Sequence, residues 1–271
     1  MSKNAKRKPI TTPLNSLQDL FDQIEKTKKE MGFKPGEECF YRGESRSYYD
    51  LMPSLLRKKY KTMEDLRWTE SSLYYEFSAR ARIAQSSNLS DWDVLFYMRH
   101  HGVPTRLIDW TETLGVALYF ATLSEAEDST PCLWLLNPYL LNKITWEVRD
   151  LISPDYLLNP YDNAKRDYSY VDFLEDPNGF EVTYPVAIYP PQKSDRMLAQ
   201  RGWFTFHGTK TVPLNKMAKV KNCYRKIIMP KTLIESIHDF LTKAGINDYT
   251  MFPDLDGLSK YLNLKYDFIK R

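Results

Sequence analysis

The stretch YMRHHGVPTRLIDWTETLGVALYFAT, residues 97–122, sets a dense polar cluster between two apolar segments. The residues up to Met98 predict the end of a helix, and 114–120 predict a second, internal helix, since they are apolar on most sides. The Gly102–Val103–Pro104 step ends the first helix, because proline disfavours helical backbone in the residue before it. Thr105–Thr111 is then a short strand whose polar groups lie where binding sites are commonly built. The alternative is a purely structural corner, with Arg106 paired to Asp109.

The composition of the chain narrows the class of protein. The 271 residues, 42% of them hydrophobic, are enough for one large domain, and the formal net charge of +3 gives no reason to expect a nucleic-acid partner. The three cysteines are far apart and form no C-x-x-C pair, so neither a zinc ribbon nor a disulfide framework is expected and a cytoplasmic location fits. The N-terminus resembles no signal peptide, and the absence of a run of ~18 apolar residues predicts no membrane span.

The order of elements predicts a single α+β domain. Residues 1–13 are polar and basic and read as a disordered tail, and 14–271 read as one domain with helices at both ends. Its core is expected to be a mixed central β-sheet flanked by helices, with a cleft beside it. Predicted strands cover 39–41, 105–111, 132–136, 186–189, 203–206 and 223–229.

Arg42 and Gly43 directly follow the first predicted strand. An arginine at a strand end can hold a phosphate or carboxylate with two hydrogen bonds, and Gly43 is expected to allow a backbone conformation that other residues resist. The alternative to an anion-binding role, which the sequence supports equally, is that Arg42 is a surface residue paired with Glu44 or Asp50.

Metal chemistry and phosphate-binding loops find little support in the sequence. His100 and His101 are adjacent and point in different directions on a helix, so they do not chelate a metal together. The glycine-rich nucleotide motifs and the nucleophile elbow are absent.

The remaining polar and aromatic residues suit the binding of a nucleotide or dinucleotide. They suit the binding of a peptide or protein nearly as well. Arginines would hold phosphate, aromatic faces a base, and hydroxyl or amide groups a ribose. These residues are Arg42, Arg106 and Arg201, the aromatics Tyr41, Trp110, Trp203 and Phe204, and Thr105, Thr111 and Gln200.

Several motifs resemble the FRG domain, a family named for its (F/Y)RG motif. They are YRGE at 41–44, LMPSLLR at 51–57, HHGVPTRLIDWT at 100–111 with ALYFA at 117–121, AQRGWFTFHG at 199–208, and MFPDLDGL at 251–258. The family occurs in bacteria and phages, so the resemblance is in keeping with a role in bacterial or phage conflict systems such as phage defence.

A second, weaker resemblance is to the ADP-ribosyltransferase fold. There Tyr41-Arg42-Gly43 is similar to the first motif, Asp109-Trp110-Thr111 with the following helix to the second, and Gln200 is the candidate for the third. This resemblance implies NAD as a substrate and no metal.

In that comparison Arg42, Thr111 and Gln200 would be the catalytic residues. Arg42 would hold the phosphates or the nicotinamide ribose, Thr111 would support the ribose, and Gln200 would bond the ribose hydroxyl. A carboxylate stabilises an oxocarbenium-like state better than an amide does, and Glu44 or Glu181 could supply it.

Binding residues would be Tyr41, Gly43, Glu44, His101, Thr105, Arg106, Asp109, Trp110, Arg201 and Phe204, with Trp110 or Phe204 stacking on nicotinamide. The partner would be a nucleotide-type small molecule or a protein target, and a non-catalytic ligand- or protein-binding module is the alternative.

Overall fold

The computed structural model describes residues 14–81, 89–123, 130–154, 169–177, 182–190 and 194–269. The predicted tail at 1–13 and the candidate Glu181 lie outside these ranges. The helices are α1 Leu17–Glu30, α2 Met63–Arg80, α3 Asp91–His100, α4 Leu114–Ala121, α5 Pro138–Thr145, α6 Tyr170–Glu175, α7 Asp195–Gln200, α8 Ile234–Lys243, α9 Asp248–Met251 and α10 Leu255–Lys265. The strands are β1 Phe40–Glu44, β2 Leu107–Thr111, β3 Cys132–Leu136, β4 Val186–Ile188, β5 Gly202–Phe206 and β6 Tyr224–Ile228.

Local sequence signals account for where several helices begin. Ser16, Thr62 and Ser90 each accept a hydrogen bond from the backbone amide three residues later, and an aspartate at that position returns the bond. This reciprocal arrangement satisfies amide groups that have no partner inside the helix. No helix within the described residues is both long and apolar enough to cross a lipid bilayer.

Six strands form one sheet in the order β4-β5-β2-β1-β3-β6, and the α+β class is confirmed. All five ladders are antiparallel, so the expectation of a mixed sheet is corrected; the parallel pairings in the described chain are two isolated bridges, Arg46 with Thr130 and Ile152 with Ile188. The reason lies in the strand order. β2 and β3 run in the same direction, as a crossover connection requires, but β1 lies between them and is antiparallel to both.

The two faces of the sheet carry different cores. Alternation along the strands sends Phe40, Ile108 and Trp134 to one face, which α5 and the chain around 214–223 cover. The opposite face carries two clusters side by side: α3 and α6 cover the β4-β5-β2 half, and α1, α4 and α8 cover the β1-β3-β6 half. The boundary between these two groups of helices therefore runs over the middle of the sheet.

Gly43 sets the contact between α4 and β1. A Cβ atom at this position would lie 1.8 Å from the carbonyl oxygen of Ala117 and 2.6 Å from the amide nitrogen of Ala121. Gly43 is not among the glycines with positive φ, so the expectation that it serves an unusual backbone conformation is wrong. It is needed because a helix backbone lies directly against it.

A charged group is buried beneath α2 and α6. Arg106 is 2% exposed and donates from Nε to both carboxylate oxygens of Glu70 at 2.7 and 2.9 Å, and Tyr170 donates to the same carboxylate at 2.7 Å. Arg106 also donates to the carbonyl oxygen of Gly208 at 2.8 Å. The alternative in which Arg106 pairs with Asp109 is therefore wrong, and its partner Glu70 is one of the most buried charges in the described chain. Removing one partner of such a pair leaves a buried charge without compensation.

We expect Gly43→Ala to destabilise the fold by more than about 3 kcal/mol, because the added methyl group meets helix backbone rather than a movable side chain. The free energy of unfolding in urea measures this. Gly202→Ala is the matched control, since it lies in a strand of the same sheet and its nearest neighbour would be 3.9 Å away. Equal losses in the two variants would contradict the proposed contact.

His207 is fully buried beside Arg106, and neither ring nitrogen has a hydrogen-bond partner among the described residues. Burial, together with the nearby Arg106 charge, lowers the pKa of His207 from 6.5 to about 3. The unfolded chain therefore binds a proton that the folded chain rejects, and stability is lost as the pH falls from 6.5 to about 3. We expect His207→Phe to remove up to about 1.4 kcal/mol per pH unit of this decline. Urea unfolding at stepped pH measures the difference, and parallel pH curves for the two proteins would refute it.

Candidate functional site

A cleft of about 640 Å³ lies over the middle of the sheet, at the boundary between the two groups of helices. Its floor is formed by β1, β2 and β5, its sides by α3 and α4, and one end by α7. The volume is in the range of sites for metabolites and cofactors.

β1 and β2 diverge at the cleft. The ladder between them is the single pair Tyr41–Thr111, whereas the neighbouring ladders β1–β3 and β2–β5 have five pairs each. Arg42 bridges the opening by donating from Nη1 to the carbonyl oxygen of Asp109 at 2.8 Å. Its Nε and Nη2 atoms lie 2.8 and 2.7 Å from one carboxylate oxygen of Glu44. Arg42 therefore holds together two strands that have little direct pairing.

A second arginine neutralises Asp109. Arg99 on α3 donates from Nε to both carboxylate oxygens of Asp109, at 2.9 and 3.0 Å, and forms a further close contact from Nη2. Although burial acts to raise the pKa of Asp109, the Arg99 and Arg42 guanidinium groups lower it to about 2. The carboxyl is thus a fixed negative charge that ties α3 and β1 to β2.

Thr111 and Gln200 also have partners within the protein. The Thr111 hydroxyl donates to the backbone carbonyl of Gln200 at 2.8 Å and accepts from the amide of Thr113 at 3.0 Å. The Gln200 side-chain amide donates to the carbonyl oxygen of Met251 at 2.9 Å. These bonds fasten α7 to β2 and to α9, and they fasten the start of α4 to β2.

Aromatic rings line the cleft on both sides. Phe96 and Phe204 have ring centroids 5.1 Å apart, and the half-buried Phe120 lies on α4 opposite them. The indole of Trp110 points to the other face of the sheet, where its nitrogen donates to the Thr205 hydroxyl at 3.1 Å. Trp110 is therefore not available for stacking on a ligand in the cleft, which leaves Phe204 of the two predicted rings.

At the α7 end of the cleft lie a histidine and a third arginine. Arg196 donates to the carbonyl oxygen of His100 at 3.2 Å, and Ser194 lies 3.4 Å from the His100 ring. Burial, then the charge of Arg196, lowers the pKa of His100 below 6.5. His100 is thus mainly neutral at pH 7.

Ten of the thirteen residues selected from the sequence line this one cleft, and three do not. The ten are Tyr41, Arg42, Gly43, Glu44, His101, Asp109, Trp110, Thr111, Gln200 and Phe204. Thr105 is buried and bonds the chain around Ser54, and Arg106 is committed to Glu70. Arg201 has a left-handed backbone at the end of α7 and points outward to Glu112.

Sequence reasoning missed Arg99, His100 and Arg196 as cleft residues. Helical spacing could have found them, because residues three and four apart share one face of a helix. Arg196 precedes Gln200 by four residues on α7, and Phe96 precedes Arg99 and His100 by three and four on α3. Arg201, by contrast, follows the last residue of α7 in a left-handed conformation, and its side chain pairs with Glu112 outside the cleft.

Comparison with protein-family models matches part of the chain. The family model of the FRG domain matches residues 37–130, about a third of the chain, and this range holds β1, β2, α3 and α4. No curated protein and no solved structure matches the chain. The motifs at 199–208 and 251–258 lie outside the matched range, although Gln200 lines the same cleft. The Arg42-Gly43 motif, the α3–β2 corner and the crossing helix α4 all lie within residues 37–130, the range over which the chain matches the FRG domain.

Proposed function

We propose that the cleft of this FRG domain binds a nucleotide-type ligand, with NAD as the form to test first. The observation that carries the proposal is the lining of one cavity by three arginines, two carboxylates and a set of aromatic rings. The arginines outnumber the carboxylates in this lining, which favours the binding of an anion. The aromatic rings offer a flat apolar surface for a base.

A reaction on NAD would need a carboxylate near the nicotinamide ribose, and Glu44 is our candidate. In such a reaction the bond between the ribose C1′ and the nicotinamide nitrogen breaks and its electron pair leaves with nicotinamide. Water or an acceptor side chain then bonds to C1′ and releases a proton to solvent. A fixed carboxylate stabilises the oxocarbenium-like state between these events. Glu44 is half-buried in the cleft, where Arg42 holds it in an ion pair.

A non-catalytic binding module is the second candidate, and one observation favours it. Both carboxylates of the cleft are ion-paired, Glu44 with Arg42 and Asp109 with Arg99. Their charge is partly compensated within the protein, which weakens their effect on a developing positive charge. Both candidate functions bind the same class of ligand. They differ in whether the protein converts that ligand to a product.

We expect NAD or ADP-ribose to raise the unfolding temperature of the protein, because a ligand that binds only the folded state stabilises it, by about 2.7 kcal/mol at a hundredfold excess over Kd. Phe120→Ala should reduce this shift, since it removes a ring from the cleft. Phe21→Ala is the matched control, a half-buried phenylalanine on α1 that packs on Phe240 away from the cleft. It should lower the midpoint and keep the ligand shift. The absence of a shift with either ligand would refute the nucleotide proposal.

For the catalytic form of the proposal, we expect the protein to release nicotinamide from NAD and Glu44→Gln to slow the release by about 10²-fold or more. The NAD-induced thermal shift should remain in this variant, because glutamine keeps the size of the side chain. Glu112→Gln is the control, since Glu112 also pairs with an arginine but does not line the cleft. Chromatographic detection of nicotinamide measures the rate. A wild-type protein that binds NAD and releases no nicotinamide, with or without an added protein acceptor, would favour the binding module.

A further inference from the structure

The three arginines of the cleft are not equivalent as anion-binding groups. Arg42 is bonded to Glu44 and to the Asp109 backbone, and Arg99 is bonded to both oxygens of Asp109. An incoming phosphate would have to compete with a carboxylate already in place at either residue. Breaking a partly buried ion pair leaves its acidic partner without compensation, which is costly.

Arg196 differs because it has no carboxylate partner in the described part of the chain. One nitrogen donates to the His100 carbonyl at 3.2 Å, and the guanidinium carbon lies 4.6 Å from the ring centroid of Phe252. Asp109 and Asp254 act on it only from beyond ion-pair distance. A guanidinium has five N–H donors, so this bond leaves most of them for a ligand.

The surroundings of Arg196 fix its position and limit its hydration. The side chain is half-buried, and burial lowers its pKa from the ordinary arginine value. α7 itself is fastened to β2 by the bond between Thr111 and the Gln200 carbonyl, and to α9 by the Gln200 side chain. Arg196 is therefore a partly desolvated cation on an anchored helix, and a bound anion would gain more from it than from a fully hydrated surface arginine.

His100 adds a second polar group at the same end. Its ring lines the cleft beside Arg196, within 3.4 Å of the Ser194 hydroxyl. A neutral imidazole can donate one hydrogen bond to a phosphate oxygen. Together the two side chains can hold an oxyanion without disturbing the ion pairs around Asp109.

We propose that the α7 end of the cleft, through Arg196 with His100 beside it, is the phosphate-binding subsite of this protein, and that Arg42 instead serves to hold β1 to β2. This inference rests on the proposed nucleotide-binding function and changes the assignment that the ADP-ribosyltransferase resemblance implies, in which Arg42 holds the phosphates. The phosphate would be a terminal phosphate or the diphosphate of a nucleotide.

The test compares pyrophosphate, AMP and adenosine as ligands, by calorimetric titration at two salt concentrations. We expect pyrophosphate and AMP to bind the wild-type protein and AMP to bind more tightly than adenosine. Arg196→Gln should raise the Kd of pyrophosphate and of AMP about tenfold, as expected for loss of a charge-assisted contact, and leave adenosine unchanged. Arg196→Lys should fall between the two, because it keeps the charge and loses the planar fork.

Arg201→Gln is the matched control, since Arg201 is 66% exposed, pairs with Glu112 and does not line the cleft. It should bind all three ligands as the wild type does. The unfolding midpoint of each ligand-free variant shows whether it is folded.

The subsite and the nucleotide proposal fail in distinguishable ways. Equal binding of pyrophosphate by the wild type and a folded Arg196→Gln, or no binding of pyrophosphate and AMP by the wild type, would overturn the subsite. Binding of AMP that is no tighter than that of adenosine would also overturn it and leave the nucleotide proposal standing. Arg196-dependent binding of pyrophosphate without binding of AMP, adenosine or NAD would support the anion subsite and overturn the nucleotide proposal.

Discussion

The contact between the α4 backbone and β1 at Gly43 is the constraint on which the rest of the structure depends. The chain leaves β2, crosses over β1 as α4, and returns to the sheet as β3 on the far side of β1. A crossover of this kind needs its helix to lie against the middle strand, and the missing Cβ of Gly43 lets the two backbones meet. Because α4 lies so close to the sheet on this side, the cleft is bounded by helix backbone and small side chains rather than filled by a larger core residue.

The second constraint is electrostatic, and it explains why the cleft stays polar. β1 and β2 share one ladder pair, so their separation is maintained mainly by side chains. Arg42 crosses the opening, Asp109 receives it, and Arg99 brings α3 to the same carboxylate. These charges are partly exposed, whereas the Glu70–Arg106 pair is sealed in the core. The two arginine–carboxylate groups are close in sequence at Arg106 and Asp109, yet one stabilises the core and the other shapes the cleft.

Adjacent positions in the central stretch illustrate this division. A strand sends neighbouring side chains to opposite faces, so Asp109 and Thr111 face the cleft while Ile108 and Trp110 enter the core of the other face. Arg106 lies just before β2 and turns beneath α2, where Glu70 and Tyr170 surround it. A polar residue type does not by itself reveal which of these environments it will occupy. Burial of a charge is decided by whether a partner from a distant element reaches it.

The positions of the strands and most helices, the α+β class and the polar corner at 105–111 follow from local pattern alone. These features are set by local signals, namely the hydrophobic period, the capping residues and the glycine and proline breaks. Each signal acts over a few residues and is therefore visible in the sequence. Ten of the cleft residues were also found this way, because motifs at strand ends and helix starts tend to gather around one cavity. The pairing of charges could not be found in this way. Glu70 meets Arg106 across 36 residues and Arg42 meets Asp109 across 67, and such contacts depend on the order of strands and the packing of helices, which no local period encodes. Tertiary structure alone therefore decided that Gly43 is a packing glycine, that Arg42 and Arg106 are internally neutralised, and that Arg196 faces the cleft without a counter-ion among the described residues.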